Sequence, residues 1–312
     1  MSVLLKLPTL GRMTSEVYTI EDLKAWDRPG TWLAVLGKPI HHSLSPAMHQ
    51  AALRHMAQEH PEFNDWTYTR FEIAVENLAE ALALLHQHRF LGVNLTIPHK
   101  VEALKAVTER EESVDHMGAI NTLSWQPNGY RGYNTDGFGM ERAIALNLGV
   151  RLDEKPVIIL GAGGAARAAA VQCLERGCSE LWVGNRTQGR LEALVDDMAP
   201  LYPNAEIRGF RFGFVPQSLP KGALIIQATA SGLKEGDELP LSFECFDESA
   251  VLFDMIYNPS VTISMQAAQA VGMRVANGLD MLVYQGARAL EIWTQFDVPA
   301  AVMRTALLNY KV

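Results

Sequence analysis

The stretch from Val157 to Ala170, VIILGAGGAARAAA, leaves few folds open to this chain. An apolar run of strand character meets Gly161, Gly163 and Ala166 at G-x-G-x-x-A spacing, and small residues of helical character follow. The first glycine allows a tight turn, the second lets a pyrophosphate approach the backbone, and the small third residue lets helix and strand pack closely. Backbone amides along Ala162, Gly164 and Ala165 would then face the phosphate. A dinucleotide is the ligand such a strand, turn and helix takes; a tight turn without ligand is the alternative.

The next strand-like piece, LWVGNRT, bears on which dinucleotide fits. An NAD site usually carries a carboxylate for the ribose 2′-hydroxyl roughly 20 residues past the loop. Here the positions read Asn185, Arg186 and Thr187, with Arg190 one turn on. A guanidinium holds a 2′-phosphate through paired hydrogen bonds, and no carboxylate stands there to repel it. NADP is therefore preferred, with a solvated Arg186 as the other reading.

Around this loop the chain alternates strand-like and helix-like pieces in two series. The first runs from Trp32 through WLAVLG, SPAMHQAALRHM, WTYTRFEI, VENLAEALALLHQH and FLGVNLTIP; the second runs from PVIILGAGG through ALIIQATASG and AVLFDMIY. Such alternation implies crossover connections and mostly parallel sheets covered on both faces. The expected fold class is α/β with two domains, an N-terminal α/β substrate domain and a Rossmann-type NADP-binding domain. Residues 1–30 read as a loose N-terminal extension, 31–135 as the substrate unit with 279–312 returning to it, and 136–278 as the cofactor unit. The 48% hydrophobic content of 312 residues can fill two cores.

Composition excludes several classes. Net charge is −8 and no block of Lys and Arg gathers on one face, so neither nucleic acid nor an anionic membrane is an expected partner. The start, MSVLLKLPTLGR, is too interrupted for a signal peptide, and no apolar run reaches membrane-spanning length. Cys173, Cys178 and Cys245 lack metal-ligand spacing and cannot all pair, which suits a reducing, cytoplasmic setting. All nine histidines precede Met117 without ligand pairing to carboxylates, so His41, His42 and His49 read as packing or surface residues and no metal is expected.

The run FLGVNLTIPHK raises a separate question, because a strand-like piece ends in polar residues and Lys100. Asp136 follows in GYNTDGFG, where the two series join. Hydride transfer needs an orienting pocket and a group that delivers the proton to a carbonyl oxygen. A lysine beside a carboxylate between two units supplies this. Taken singly, Lys100 reads as an exposed helix-start lysine and Asp136 as a turn residue.

In combination these segments resemble the shikimate dehydrogenase family over nearly the whole chain after the extension. The segments are GKPIHHSLSPAMHQAAL, GVNLTIPHK, GAINTL, NTDGFG, GAGGAARA with NRTQGR, FDMIYNPSVT and NGLDMLVYQGARALEIWT. The resemblance implies reversible NADPH-dependent reduction of 3-dehydroshikimate to shikimate, in the route to chorismate and the aromatic amino acids, by a monomer or homodimer. It implies that Ser43 and Ser45 bind the substrate carboxylate, and that Thr96, Asn121 and Gln285 join Lys100 and Asp136 around the ring hydroxyls. Tyr257 would also reach the substrate, and Met255 and Gly278 the nicotinamide. Lys100 is the implied proton donor, oriented by Asp136. Read without the family, Ser45 caps the helix that opens at Pro46, Asn121 and Thr96 satisfy backbone groups, and Gln285 faces water. One departure stands out: the family's NATSxG loop reads here as Gln227-Ala-Thr-Ala-Ser-Gly232. The nearest rival is a quinate or quinate/shikimate dehydrogenase using NAD or NADP. A non-catalytic dinucleotide-binding regulator would be expected to lack Lys100 or Asp136, and both are present.

Overall fold

A computed structural model describes residues 16–107 and 109–310. The first series runs α1 (Ile20–Lys24), β1 (Thr31–Gly37), α2 (Ser45–Met56), β2 (Trp66–Glu72), α3 (Leu78–Gln87), β3 (Gly92–Leu95), α4 (His99–Ala106), β4 (Glu109–Arg110), α5 (Glu112–Met117), β5 (Thr122–Gln126) and β6 (Gly129–Tyr133). Its strands form one sheet in the order β2-β1-β3-β5-β6-β4. Alternate residues of β1 face opposite ways, as the two-residue period of a strand requires. Leu33 and Val35 enter a core with α2, while Ala34 and Leu36 enter the core beneath α3.

Helix α6 (Asp136–Leu148) leads into β7 (Val157–Leu160), α7 (Gly164–Glu175), β8 (Glu180–Asn185), α8 (Gln188–Met198), β9 (Glu206–Arg211), β10 (Leu224–Gln227), β11 (Val251–Asp254), α9 (Ile263–Ala270) and β12 (Arg274–Ala276). These strands are all parallel, in the order β12-β11-β10-β7-β8-β9. That is the doubly wound arrangement in which ligands bind outside the carboxyl ends of the strands. VIIL, LIIQ and VLFD are buried along their whole length because helices cover both faces.

The chain closes with α10 (Leu279–Thr294) and α11 (Ala300–Leu308). Val283, Ala287 and Leu290 of α10 and Met303 and Leu307 of α11 pack into the core that holds Leu33, Val35 and α2. Met140, Ala143 and Ile144 of α6 enter the core of the second sheet. The two helices meet closely at Gly139, where a Cβ would stand 2.6 Å from the Met281 carbonyl oxygen.

The first sheet is mostly parallel, as the alternation implied; only β5 runs the other way, antiparallel to both β3 and β6. The β5–β6 hairpin turns through Pro127 and Asn128, within a stretch that had no strand assigned to it. One expectation needs correction, the loose extension, of which residues 1–15 lie outside the described residues. Residues 16–30 are not loose. Tyr18 bridges Phe71, donating its N–H to Arg70 O at 3.0 Å and accepting from Glu72 N at 2.8 Å. Tyr18, Leu23 and Trp26 are buried, with the Trp26 ring 5.2 Å from Phe90 and 4.9 Å from Trp32. An edge strand presents unpaired backbone groups, and this segment satisfies those of β2 while covering its aromatic residues.

Candidate active site

The carboxyl ends of β1 and β3 lie side by side, and the loops that leave them form one wall of a cavity of about 330 Å³. Lys38 N donates to Ile97 O at 3.1 Å and Thr96 N to Leu36 O at 2.9 Å, which fixes one strand end against the other. The β1 loop and the start of α2 bring Ser43 and Ser45 to the cavity, the β3 loop brings Thr96, and Lys100 is the second residue of α4. Asn121, Asp136, Met255, Tyr257, Gly278 and Gln285 complete the lining together with residues given no site role from the sequence, notably Asn94, Leu282 and His42, which had read as a packing or surface residue. Every substrate or catalytic candidate therefore converges on one space, although they are spread from position 43 to position 285.

Lys100 Nζ lies 2.5 Å from Asp136 Oδ2. The lysine is 30% exposed and the aspartate 17%, so the pair is sheltered yet open to a ligand. Asp136 is the first residue of α6, where the helix dipole favours a negative charge. Asn121 Nδ2 donates to Asp136 Oδ1 at 2.9 Å and approaches Gln285 Oε1 at 3.4 Å, while Asn121 Oδ1 accepts from Thr135 N at 2.8 Å. Gln285 is thus half-buried in this network, not turned to water. Its own amide donates to Leu282 O at 2.9 Å.

Asn94 explains why a buried strand ends in polar residues. Its side chain donates to Asn121 O at 3.1 Å and Thr122 Oγ1 at 3.0 Å and accepts from Tyr68 Oη at 2.7 Å. Leu95 N also donates to Asn121 O, at 2.8 Å. A buried amide must find partners, and these partners fix β5 against β3 at the level of Lys100. The signal for Asn94 was a lone polar residue inside an apolar run.

Ser45 does not take the alternative role of helix cap. It is the first residue of α2, Leu44 holds the cap position, and Ser43 Oγ accepts from Ser45 N at 3.3 Å. The Ser45 hydroxyl lies beside the Tyr68 phenol in the cavity wall, at a helix N-terminus where the dipole favours an anion. His49 behind it is fully buried, stacked on Tyr68 at 4.2 Å, and burial lowers its pKa to about 3, so it remains neutral. Burial also raises the Tyr257 phenol above its usual range, which keeps it a neutral hydrogen-bond donor.

From the second sheet, Asp254 positions the segment that carries Met255 and Tyr257. Its fully buried carboxylate accepts from Thr262 Oγ1 at 2.6 Å and Ile256 N at 3.0 Å. Desolvation raises its pKa, and these hydrogen bonds oppose the rise. Gly161 adopts φ +122° in the turn after β7, and α7 starts at Gly164. A Cβ at Gly163 or Gly164 would meet nothing within 4 Å, so the amide end of α7 opens onto free space of the kind a pyrophosphate requires. Arg186 and Arg190 are exposed beside it. By contrast Arg167 is held by Asp197 and by His116 O. The donor set fits a phosphorylated dinucleotide. Gln227, at the departure from the family loop, is fully buried and spans that loop, accepting from Thr229 N at 2.8 Å and donating to Ser231 O at 2.8 Å.

Comparison with known proteins bears on the family and the fold. A profile of the shikimate dehydrogenase substrate binding domain matches residues 35–123, one of shikimate / quinate 5-dehydrogenase matches 143–234, and one of the shikimate 5'-dehydrogenase C-terminal domain matches 278–308. A shikimate dehydrogenase (NADP(+)) from Methanothermobacter thermautotrophicus is 37% identical over 276 residues, which cover 88% of this chain and 94% of that protein. The chain belongs to the shikimate dehydrogenase family. Its fold is similar to that of a shikimate 5-dehydrogenase from Thermus thermophilus solved in complex with NADP(H) and shikimate, with a TM-score of 0.77 and 34% identity over 88% of this chain and 98% of that one. A quinate dehydrogenase from Corynebacterium glutamicum in complex with NAD gives a TM-score of 0.78 at 25% identity, covering 90% of this chain and 99% of that one.

Proposed function

We propose that this protein catalyses the reversible NADPH-dependent reduction of 3-dehydroshikimate to shikimate. The observation that carries the reading is the 2.5 Å contact of Lys100 Nζ with Asp136 Oδ2 inside a cavity lined by both units. Substrate is assigned to the unit of residues 31–135 with the returning segment 279–312, and cofactor to residues 136–278. NADPH supplies the hydride. Ser43 and Ser45 hold the substrate carboxylate at the start of α2, and Thr96, Asn121, Asp136 and Gln285 orient the ring hydroxyls. Met255 and Gly278 border the nicotinamide side of the cavity.

Lys100 carries three protons and gives one to Asp136 in a hydrogen bond, which leaves others to face the carbonyl oxygen. During reduction the ammonium protonates that oxygen as charge develops on it; during oxidation the amine removes the hydroxyl proton. Asp136 holds the ammonium in place and accepts from a substrate hydroxyl. A cytoplasmic location, as monomer or homodimer, accompanies this reading. No helix among the described residues is long and apolar enough to cross a membrane.

The test is a set of initial rates with shikimate and quinate, each against NADP and NAD. Quinate bears an extra hydroxyl on the carbon that carries the carboxylate, and beside Ser43 and Ser45 that hydroxyl displaces a contact or stays unpaired. An unpaired buried polar group costs about 1 to 3 kcal/mol. The expected preference for shikimate is therefore at least about ten-fold in kcat/KM. Comparable values for the two acids would transfer the assignment to quinate/shikimate dehydrogenase.

Arg186→Ala should weaken NADP by about 1.5 to 3 kcal/mol, the range for hydrogen bonds to a charged group, and leave NAD nearly unchanged. Binding titrations of the two dinucleotides measure this directly. Equal losses would make Arg186 a structural residue.

A further inference from the structure

Beside the NRT segment the edge strand β9 ends in a third guanidinium that no motif predicted. Arg211 is the last residue of β9 and pairs in register with Asn185, the last residue of β8. Parallel neighbours in register project their side chains to the same face of a sheet, roughly 4.8 Å apart. That face can be identified. Trp182 and Phe210 enter the core on the α9 side, whereas Leu181 and Val183 enter the core with α7 and α8. Alternation then places both Asn185 and Arg211 on the side of α7 and α8, which is the side where the N-terminus of α7 opens onto free space.

The turn after β9 keeps Arg211 there. Phe214 N donates to Arg211 O at 3.0 Å, with Gly213 at φ +88° in the turn. The Phe214 ring is 72% exposed, an unusual position for a large apolar group, and the Arg211 guanidinium lies 5.8 Å from its centroid. Such a contact holds a guanidinium without neutralising it. Three residues earlier, Arg208 is tied to Glu206, while Arg211 has no carboxylate partner among the described residues. Arg186 thus follows the carboxyl end of β8, Arg190 lies in the first turn of α8 and Arg211 ends the adjacent β9, all three exposed.

We propose that Arg211, positioned by Phe214, is a further cofactor-specificity residue that pairs with the 2′-phosphate of NADP alongside Arg186. The proposal rests on the NADP reading above and extends it to a residue outside the NRTQGR segment. The alternative role for Arg211 is a solvated charge that protects the exposed edge of β9 from pairing with another chain.

Binding of NADP and NAD to the full-length protein, measured by calorimetry or nucleotide fluorescence, separates these roles. Arg211→Ala should weaken NADP at least about ten-fold, equivalent to about 1.4 kcal/mol, and change NAD by less than about two-fold. Arg211→Lys should recover part of the loss, since it keeps the charge but not the planar fork. Phe214→Ala should weaken NADP by a smaller factor with NAD again unchanged, and the Arg211 effect should shrink as salt rises. If Arg211→Ala leaves NADP within about two-fold while Arg186→Ala still discriminates, the proposal is overturned and the NADP reading stands. If wild type binds both dinucleotides alike and Arg186→Ala is equally indifferent, the proposal falls together with that reading.

Discussion

Lys100→Ala should lower kcat at saturating substrate by roughly two to four orders of magnitude, the usual range for loss of a general acid or base. The group removed is the cation 2.5 Å from Asp136, in a cavity otherwise lined by neutral donors and apolar residues apart from that carboxylate and the nearby His42. Folding should survive, because the backbone contact that anchors this turn, Ile120 N to Lys100 O at 2.8 Å, does not involve the side chain. Asp136 retains its hydrogen bond from Asn121 in the variant. The KM for shikimate should rise less than kcat falls, since the proton is transferred only as the reaction proceeds. Steady-state rates combined with a thermal melt check both halves. Wild-type kcat in a folded variant would remove Lys100 from proton transfer.

Gly278→Ala should damage stability and activity together. A Cβ at this position would stand 2.1 Å from Met255 O and 2.6 Å from Met255 C, both backbone atoms that cannot rotate away. Gly278 N also donates to Ile256 O at 3.1 Å, so the start of α10 is clamped to the segment of Met255 and Tyr257. Relief requires these two elements to part. Overpacking of a tight site costs about 1 to 3 kcal/mol and sometimes more, and the lack of a yielding side chain puts this site at the upper end. The same shift moves Gln285 relative to Asn121 and Met255 relative to the substrate wall, and a displacement near 1 Å can cost about a hundred-fold in rate. A melting temperature lowered by several degrees, with a fall in kcat/KM for shikimate, is the expected outcome. An unchanged melt with normal kinetics would mean that the close contact between Gly278 and Met255 is absent in solution.

Local signals were strong where chemistry is carried by neighbouring residues. The turn at Gly161 and the small Ala166 lie within one strand, loop and helix, with the arginines at the end of the next strand, and their spacing is the pattern expected of a phosphate-binding end. The doubly wound order could be anticipated because strands buried on both faces read as continuous apolar runs. The β5–β6 hairpin was less legible, since Thr122–Gln126 and Gly129–Tyr133 mix polar and aromatic residues and only Pro127–Asn128 forms the turn. Residues 16–30 read as loose because their few apolar residues show no long period. Burial of Tyr18, Leu23 and Trp26 depends on an edge strand and an aromatic cluster more than 40 residues further along the chain.

By itself the sequence determined two α/β units, a dinucleotide loop with an arginine where a carboxylate would select NAD, and a set of polar residues whose family resemblance assigned them to a substrate. Tertiary structure alone decided which of these meet. Lys100, Asn121, Asp136 and Gln285 come from four different segments, and nothing in their local spacing measures the distances between them. Those distances follow from β3 pairing with β5, from α6 beginning where β6 ends, and from α10 packing against α6 at Gly139. The same holds for Arg211, which is an ordinary surface arginine in sequence and a neighbour of Asn185 in the NRT segment only because β9 pairs with β8 in register. Sequence patterns report which face of an element is apolar; pairing register and helix packing decide which polar ends share a cavity.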